Sequence, residues 1–265
     1  MMSGRLASDL ASDSADVSED AILGGRLVLR QPLRGHRFGH DAILLAAAVS
    51  ACAGEHAVEL GAGVGAAGLA LAHRVGGLSV TLVEIDRALA SLAEGNAARN
   101  GMADRVRTLC LDAETPADAF AAAGLPPGCA AHVLMNPPFN SGRHNASPDP
   151  GRRVAHVGSG ETLSKWLAAA TRLLDADGVV TLIWRADGVA DVLAALARDF
   201  GGVSILPVYP RPGAAAIRVL ARGIKASGAP LTVLPGLALA DGGNKPTQQA
   251  EAILRENAAL PMTMN

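Results

Sequence analysis

From residue 56 to residue 184 the sequence alternates short apolar runs with longer segments of helical periodicity. The apolar runs have the length of strands, whereas the longer segments repeat their apolar residues every three or four positions. This alternation predicts an α/β fold in which helices cover both faces of a parallel sheet. The predicted strands are residues 57–60, 79–84, 106–111, 131–135 and 178–184, and the predicted helices are 65–75, 87–100 and 161–174.

The pattern changes after residue 187. One more predicted helix covers 187–200, and the apolar runs 203–209, 215–223 and 231–235 follow it, separated by turns rich in Pro and Gly. Runs connected in this way predict antiparallel strands that close one edge of the sheet. Trp166 and Trp184 lie on apolar faces, so we expect both to be core residues rather than ligand contacts.

Composition sets the class of protein and its organisation. The 265 residues are 49% hydrophobic and 18% charged, which predicts a folded chain with a substantial core. The longest apolar run, 42–49, is too short to cross a membrane. Residues 1–20 carry five acids and one arginine, which predicts a disordered acidic tail rather than a secretory signal, in a cytoplasmic protein. We expect residues 21–55 to form a strand and a helix that cap the main site, and 56–265 to form the main domain.

Metal and disulfide chemistry are not expected. Cys52, Cys110 and Cys129 form no CxxC pair, which argues against a disulfide framework and against a thiolate zinc site. His36 and His40 are four residues apart, but no acid-rich third ligand lies near them in the sequence.

A glycine-rich loop, ELGAGVG at 59–65, joins the first predicted strand to a helix. Its glycines permit a sharp turn and let a ligand approach the backbone at a helix N-terminus. Glu84 ends the next strand and can accept both hydroxyls of a ribose, and Asp112 follows the third strand and can accept the exocyclic amine of an adenine. The loop also fits the GxGxxG pattern, so an NAD-dependent oxidoreductase is an alternative. Asp86 is better explained as the cap of the helix that begins at Arg87.

The most specific motif is Asn136-Pro137-Pro138-Phe139, at the end of the fourth predicted strand. Two prolines at this place would also serve as a simple strand stop. The tetrapeptide resembles motif IV, D/N-PP-Y/F, of the S-adenosylmethionine-dependent methyltransferases that modify planar amino or amide nitrogens. The resemblance covers roughly residues 56–184 and implies a Rossmann-like class I methyltransferase fold, with a mostly parallel seven-stranded sheet and an antiparallel edge.

The resemblance also implies a role for each motif. The cofactor would be S-adenosylmethionine, bound by Glu59, Gly61, Gly63, Gly65, Glu84, Ile85, Asp112, Ala113 and Asn136. The side-chain oxygen of Asn136 and the main-chain oxygen of Pro137 would accept hydrogen bonds from the acceptor amine and free its lone pair for the methyl group. Phe139 would stack on the acceptor ring. This chemistry needs neither a metal nor a general base, since the proton can leave after transfer.

Residues 27–47 resemble the start of the bacterial valine-tRNA adenine-37 N6-methyltransferases, in which a strand carrying a glutamine leads into a (T/H)-D-x-I/V-L-L element. In that family the element lies over the methionine end of the cofactor, which implies that Phe38, His40 and Asp41 belong to the pocket. The chain departs from many members in having His40 where Thr is often found. Asp41 has an alternative role as the N-cap of a helix that begins at Ala42.

Two basic stretches favour a nucleic-acid acceptor. Residues 26–40 carry four arginines and two histidines without an acid, and the predicted long loop 140–160 carries three arginines and two histidines against one acid. The alternatives are a solvated basic face for the first stretch and a merely mobile loop for the second. The RNA-binding candidates are Arg34, Arg37, Arg143, Arg152 and Arg153.

The resemblance thus predicts N6-methylation of an adenine in RNA, most simply in a tRNA anticodon loop, where a base needs less unstacking than in a duplex. Protein glutamine-N5 and guanine-N2 methyltransferases share the NPPF motif and are the nearest alternatives. A protein that binds the cofactor without catalysis is a third.

Overall fold

The computed structural model describes residues 17–34, 37–138 and 152–263, with side chains from residue 160 onward in the last range. The strands are β1 (Val17–Ile22), β2 (Leu27–Pro32), β3 (His56–Leu60), β4 (Ser79–Glu84), β5 (Val106–Cys110), β6 (Ala130–Met135), β7 (Leu174–Arg185), β8 (Phe200–Tyr209), β9 (Arg218–Lys225), β10 (Thr232–Val233) and β11 (Leu237–Ala238). The helices are α1 (His40–Ala48), α2 (Ala66–Arg74), α3 (Arg87–Arg99), α4 (Ala117–Ala122), α5 (Arg152–Leu173), α6 (Val189–Leu196) and α7 (Gln248–Glu256), with 3-10 turns at Leu23–Gly25 and Ala186–Gly188.

In the described chain the central sheet has nine strands in the order β10-β8-β9-β7-β6-β3-β4-β5, and β11 also pairs with β8. Strands β7, β6, β3, β4 and β5 run parallel, whereas β9 lies antiparallel between β7 and β8. The predicted α/β class is therefore confirmed. The seven long strands form the predicted mostly parallel sheet, to which β10 and β11 add two residues each.

Two predictions for the C-terminal part are wrong in detail. The run 231–235 was expected to be antiparallel, but β10 is parallel to β8. The reason is that β9 ends beside the start of β8, where Lys225 pairs with Phe200, so a short turn onto the outer side of β8 leads the chain in the direction of β8. The predicted helix 187–200 is shorter than expected, because α6 ends at Leu196 and Phe200 already opens β8.

The strand β1 corrects the predicted tail. Residues 17–20 belong to β1, which pairs antiparallel with β2, and residues 1–16 lie outside the described part of the chain. The acids of β1 face arginines: Glu19 lies 3.6 Å from Arg30 and 3.3 Å from Arg99, and Asp20 lies 3.0 Å from Arg37. Ion pairs with arginines thus stabilise these acids in a strand, whereas composition alone predicted that the segment is disordered.

Two asparagines of α3 hold the β1–β2 hairpin against the sheet domain. The buried amide of Asn96 accepts from the Arg30 N–H (2.7 Å) and donates to the Arg30 carbonyl (2.9 Å). Asn100 makes the same two bonds to Val28. Asn96 also donates to the carbonyl of Val64 in the glycine loop (3.0 Å). The two asparagine side chains therefore bond to main-chain groups of β2 as a neighbouring strand would, and they hold the hairpin next to the glycine loop.

Buried side chains pack on both faces of the sheet. Helices α1 and α2 cover one face with small and branched residues, mainly alanine and leucine, and α5 and α6 cover the other. Trp166 is 9% exposed and Trp184 3%, which confirms both as core residues. Within the described residues, no helix combines the length and the apolarity that crossing a membrane requires.

Helix α5 changes the predicted loop after the NPPF motif. The helix begins at Arg152, so residues 152–160 are helical and only the first part of the predicted loop 140–160 remains. Residues 139–151 lie outside the described part of the chain.

Candidate active site

The carboxyl ends of β3, β4, β5 and β6 meet at one edge of the sheet, because these strands are parallel and adjacent. The glycine loop follows β3, Glu84 ends β4, Asp112 follows β5 and Asn136 follows β6. The Ala62 amide donates to the carbonyl of Val83 (3.0 Å), which ties the glycine loop to β4. The structure therefore brings the four predicted elements together at one edge.

The glycine loop needs its glycines for two different reasons. Gly61 has a φ of +69°, and a Cβ on it would lie 2.4 Å from the ring of Trp166, so the loop rests directly on that buried side chain. Gly63 has a φ of +56°, but a Cβ there would meet nothing within 4 Å. Gly65 precedes α2 with a φ of +85°. The backbone around Gly63 thus presents an open surface at the start of a helix, which suits close approach by a ligand.

Glu59 and Glu84 stabilise this loop through main-chain N–H groups. Glu59 is buried, and its Oε2 accepts from the N–H of Gly68 (2.7 Å). Burial raises the pKa of Glu59 to about 8, and the charge of Glu84 adds to the rise, so the Glu59 carboxyl is mainly neutral at pH 7. The carboxylate of Glu84 accepts from the N–H groups of Gly63 (2.7 Å) and Asp86 (2.9 Å).

The side chain of Asp86 caps α3 by accepting from the N–H groups of Ala88 (2.8 Å) and Leu89 (3.1 Å). The cap interpretation of Asp86 is therefore confirmed. Glu84, two residues earlier, points back to the glycine loop instead. The two neighbouring acids thus have separate roles, one at the loop and one at the helix.

An apolar surface lies between the acids at the ends of β4 and β5. The side chain of Ile85 is 64% exposed, an unusual state for a large apolar residue. Asp112 is exposed and accepts from the N–H of Glu114 (2.8 Å), and Ala113 beside it is buried. Asp112, the predicted adenine acceptor, follows β5, and Ile85, a member of the predicted cofactor set, follows β4. Their contact with the cofactor stays a prediction.

Asn136 has a buried side-chain oxygen without a hydrogen-bond partner among the described residues. An unpaired buried acceptor costs about 1–3 kcal/mol, so such an atom calls for a functional explanation. Pro137 is buried and Pro138 exposed. Phe139 lies outside the described part of the chain.

A cavity of about 230 Å³ opens at this edge. It joins residues of α1, the glycine loop and the end of β6. Its lining includes the predicted site residues Arg37, Phe38, Asp41, Glu59, Gly61, Gly63 and Asn136. The remaining described candidates of the cofactor set, which are His40, Gly65, Glu84, Ile85, Asp112 and Ala113, do not belong to its lining.

Phe38, just before α1, and Asp41, in its first turn, line the cavity, whereas His40 does not. His40 is exposed and lines a second cavity of about 660 Å³, beside the hairpin and α7. The N-cap position of α1 is Gly39, so the cap interpretation of Asp41 is wrong. Instead, Asp41 Oδ2 accepts from Nε of Arg218 at the start of β9 (2.8 Å). No sequence pattern indicated Arg218, which is 177 residues away from Asp41.

The arginines predicted to bind RNA differ in their hydrogen bonds and exposure. Arg37 donates to Asp20 Oδ2, to the Ser18 hydroxyl and to the Pro32 carbonyl, each at 3.0 Å, so its charge is shared with the hairpin. Arg34 is exposed. Arg152 and Arg153 open α5, and their side chains, like all of Arg143, lie outside what the structure describes. Among the described residues, no three His, Cys, Asp or Glu side chains are grouped to hold a metal ion.

Comparison with known proteins finds similarity to methyltransferases. The methyltransferase small domain family matches residues 37–207. A tRNA1(Val) (adenine(37)-N6)-methyltransferase of Bacteroides thetaiotaomicron is 28% identical over 190 residues, which are 69% of this chain and 75% of that protein. The protein of the same name from Dickeya chrysanthemi is 32% identical over 165 residues, 62% of either chain. The crystal structure of a predicted O-methyltransferase from Agrobacterium tumefaciens is 31% identical, has a TM-score of 0.72, and is covered completely by 84% of this chain.

The fold and the strand edge are those of a class I methyltransferase, and its cofactor is S-adenosylmethionine. The chain belongs to the methyltransferase small domain family, whose match covers well over half of its length. The residues present fit the cofactor. The glycine loop offers open backbone at Gly63, and the lining of the cavity beside it includes Asp41 and Asn136.

Proposed function

We propose that the protein methylates N6 of an adenine in RNA, in a tRNA anticodon loop and specifically at position 37 of a valine tRNA. Two relatives carry names with this activity. The observation that carries the proposal is the side-chain oxygen of Asn136, a residue of the cavity lining: this oxygen is buried and has no hydrogen-bond partner among the described residues. An exocyclic amine supplies the hydrogen that this acceptor lacks.

Asn136 and Pro137 prepare the acceptor nitrogen. An amine conjugated to a purine is a weak nucleophile, because its lone pair is delocalised into the ring. When the Asn136 side-chain oxygen and the Pro137 carbonyl accept its two hydrogens, the nitrogen becomes tetrahedral and its lone pair can attack. S-adenosylmethionine supplies an electrophilic methyl group on a sulfonium. The prolines stiffen the turn, so the acceptor oxygens need not rearrange during transfer.

The other residues of the edge bind and orient. We propose that Glu84 accepts the ribose hydroxyls of the cofactor, that Ile85 packs on its adenine, and that Asp112 accepts the adenine amine. Phe139 would stack on the acceptor base. Residues 21–55 would cover the methionine end of the cofactor, since the cavity is lined on that side by the first turn of α1.

We propose that the RNA contacts the basic candidates identified in the sequence. Arg34, Arg143, Arg152 and Arg153 are proposed to contact phosphates, whereas Arg37 contributes less because Asp20 shares its charge. An enzyme acting on tRNA is expected in the cytoplasm. Its net charge of −2 predicts modest RNA affinity that falls steeply with salt.

The experiment is incubation with labelled S-adenosylmethionine and tRNA from cells that lack this gene, followed by nucleoside mass spectrometry. N6-methyladenosine is the expected product, and sequencing of the methylated tRNA would then locate the position. N2-methylguanosine or a 2′-O-methylated nucleoside would overturn the adenine proposal. We include 2′-O-methylated nucleosides in the analysis because one similar protein of known structure is described as a predicted O-methyltransferase. Transfer to glutamine of a protein lysate, with none to RNA, would overturn the RNA proposal and retain the enzyme class.

A further inference from the structure

The cofactor cavity has two acidic side chains in its lining, Glu59 and Asp41. They differ in charge. Burial, together with the charge of Glu84, raises the pKa of Glu59 to about 8 against the opposing effect of the Gly68 N–H, so the Glu59 carboxyl is mainly neutral at pH 7 and is bonded within the protein. Asp41 is ion-paired with Arg218 through Oδ2, and its side chain is 25% exposed, so it is the carboxylate of the lining that a ligand can reach. The methionine end of the cofactor bears an ammonium group, which a carboxylate of this kind can accept.

We propose that Arg218 is a positioning residue that holds Asp41 as the ammonium acceptor of the cofactor cavity. This inference rests on the proposed cofactor role of Asp41. The geometry supports it in two ways. Nε of Arg218 donates to Oδ2 of Asp41 at 2.8 Å, a charge-assisted distance. Arg218 itself is anchored in the sheet, because it pairs with Arg185 of β7 and with Val208 of β8.

The ion pair joins the first turn of α1 to the start of β9. Asp41 lies in the first turn of α1, where the helix dipole also favours a carboxylate. An aspartate in a helical turn can choose between several rotamers, and most of them lead into solvent. A donor fixed on β9 selects the rotamer that stays beside the cavity. Arg218 thereby acts on the cofactor through Asp41 and does not belong to the cavity lining itself.

The test compares two ligands that differ only at the methionine end. S-adenosylhomocysteine has the amino-acid group, and 5′-methylthioadenosine lacks it. Calorimetric dissociation constants are measured for the wild type, D41N, R218Q and R218K, and for the double variant D41N/R218Q. R218Q and D41N should each weaken S-adenosylhomocysteine about tenfold, the value of one hydrogen bond to a charged group. Neither should change the affinity for 5′-methylthioadenosine.

The double variant shows whether Arg218 acts through Asp41. If it does, D41N/R218Q binds S-adenosylhomocysteine about as weakly as D41N alone. If the two residues acted independently, the double variant would bind it about a hundredfold more weakly than the wild type. R218K keeps the charge but not the shape of the guanidinium, so we expect an intermediate loss in a protein that folds even if R218Q does not. R185Q is the matched control, since Arg185 lies opposite Arg218 and has its own ion pair with Asp187. It should bind both ligands like the wild type.

Three results would overturn the inference: wild-type affinity in R218Q, additive losses in the double variant, or equal losses for both ligands. Additive losses would mean that Arg218 acts independently of Asp41, and equal losses for both ligands would mean that Arg218 only stabilises the fold. These measurements use no RNA, so they stand even if the acceptor is not an adenine. Conversely, methylation of RNA can be confirmed while Arg218 proves irrelevant.

Discussion

The strand edge has two halves, which differ in how their polar groups are satisfied. In the half formed by β3, β4 and β5, acidic side chains accept from nearby main-chain N–H groups: Glu59 from Gly68 in the first turn of α2, and Glu84 from Gly63 and Asp86. In the half formed by β6, the oxygen of Asn136 is buried and has no partner among the described residues. The first half is thus held in shape by the protein itself. The second half has an acceptor that a substrate can satisfy.

This difference predicts that substitutions will separate cofactor binding from methyl transfer. Asn136→Ala should have the largest effect, because it removes a preorganised acceptor from the transition state. Removal of one such group typically costs about 10²–10³ in turnover. The dissociation constant of S-adenosylhomocysteine should change by less than about threefold, because the residues of the first half remain. Single-turnover transfer and calorimetry measure the two quantities.

Asn136→Asp is the matched control, since it keeps an acceptor oxygen of the same shape. It should retain more transfer activity than Asn136→Ala. A fully active Asn136→Ala variant would contradict the proposed mechanism. If Asn136→Ala lowered cofactor affinity as strongly as methyl transfer, the two halves of the edge would not have separate roles.

Glu84→Ala should have the next largest effect, on binding rather than on transfer. It removes the proposed ribose acceptor and also the acceptor for the Gly63 and Asp86 amides. We expect S-adenosylhomocysteine to bind about 10–100-fold more weakly, with turnover at saturating cofactor largely retained. Asp86→Ala is a local control: it removes only the cap of α3 and should cost about 1 kcal/mol of stability without a comparable loss of affinity. Equal losses of affinity in the two variants would show a general disturbance of the loop.

The pKa of Glu59 predicts a pH dependence of stability in the first half. The carboxyl releases its proton near pH 4.5 in the unfolded chain but only near 8 in the folded protein. Between these values the folded state holds the extra proton, so stability falls as pH rises, by at most about 1.4 kcal/mol per pH unit. Glu59→Gln lacks this loss. The melting temperature of Glu59→Gln relative to that of the wild type should therefore rise between pH 5 and 8, by about 2–4 °C for each kcal/mol of stability that the wild type loses. A constant difference across this range would show that Glu59 is ionised in the fold.

The same comparison explains what the sequence could predict. The loop at 59–65, Glu84 and Asn136 each follow a strand, and the strand ends could be located because buried parallel strands are continuous apolar runs. The predicted strand 79–84 coincides with β4 for this reason. Parallel order then puts all strand ends at one edge without further information.

Features that depend on distant pairing could not be predicted. The direction of β10 follows from where β9 ends, and the role of Asp41 follows from Arg218 on another strand. Local propensity contains neither fact. The acids of β1 were misjudged for a related reason, since their partners Arg30, Arg37 and Arg99 lie elsewhere in the chain.

The smallest predicted effect concerns Arg152 and Arg153, which open α5 after the NPPF segment. Two arginines and no acid in a first helical turn are unfavourable for an isolated helix, because the helix dipole is positive there. A phosphate would be stabilised by the arginines and by the helix terminus together. Replacing both by Ala should therefore raise the KM for RNA several-fold and reduce the salt slope of binding by about 1.4–1.8, about 0.7–0.9 for each arginine, with unchanged affinity for S-adenosylhomocysteine. Arg185→Gln controls for the loss of positive charge at the same edge. An unchanged salt slope in the double variant would remove the start of α5 from the RNA surface and leave acceptor recognition to the residues around Asn136.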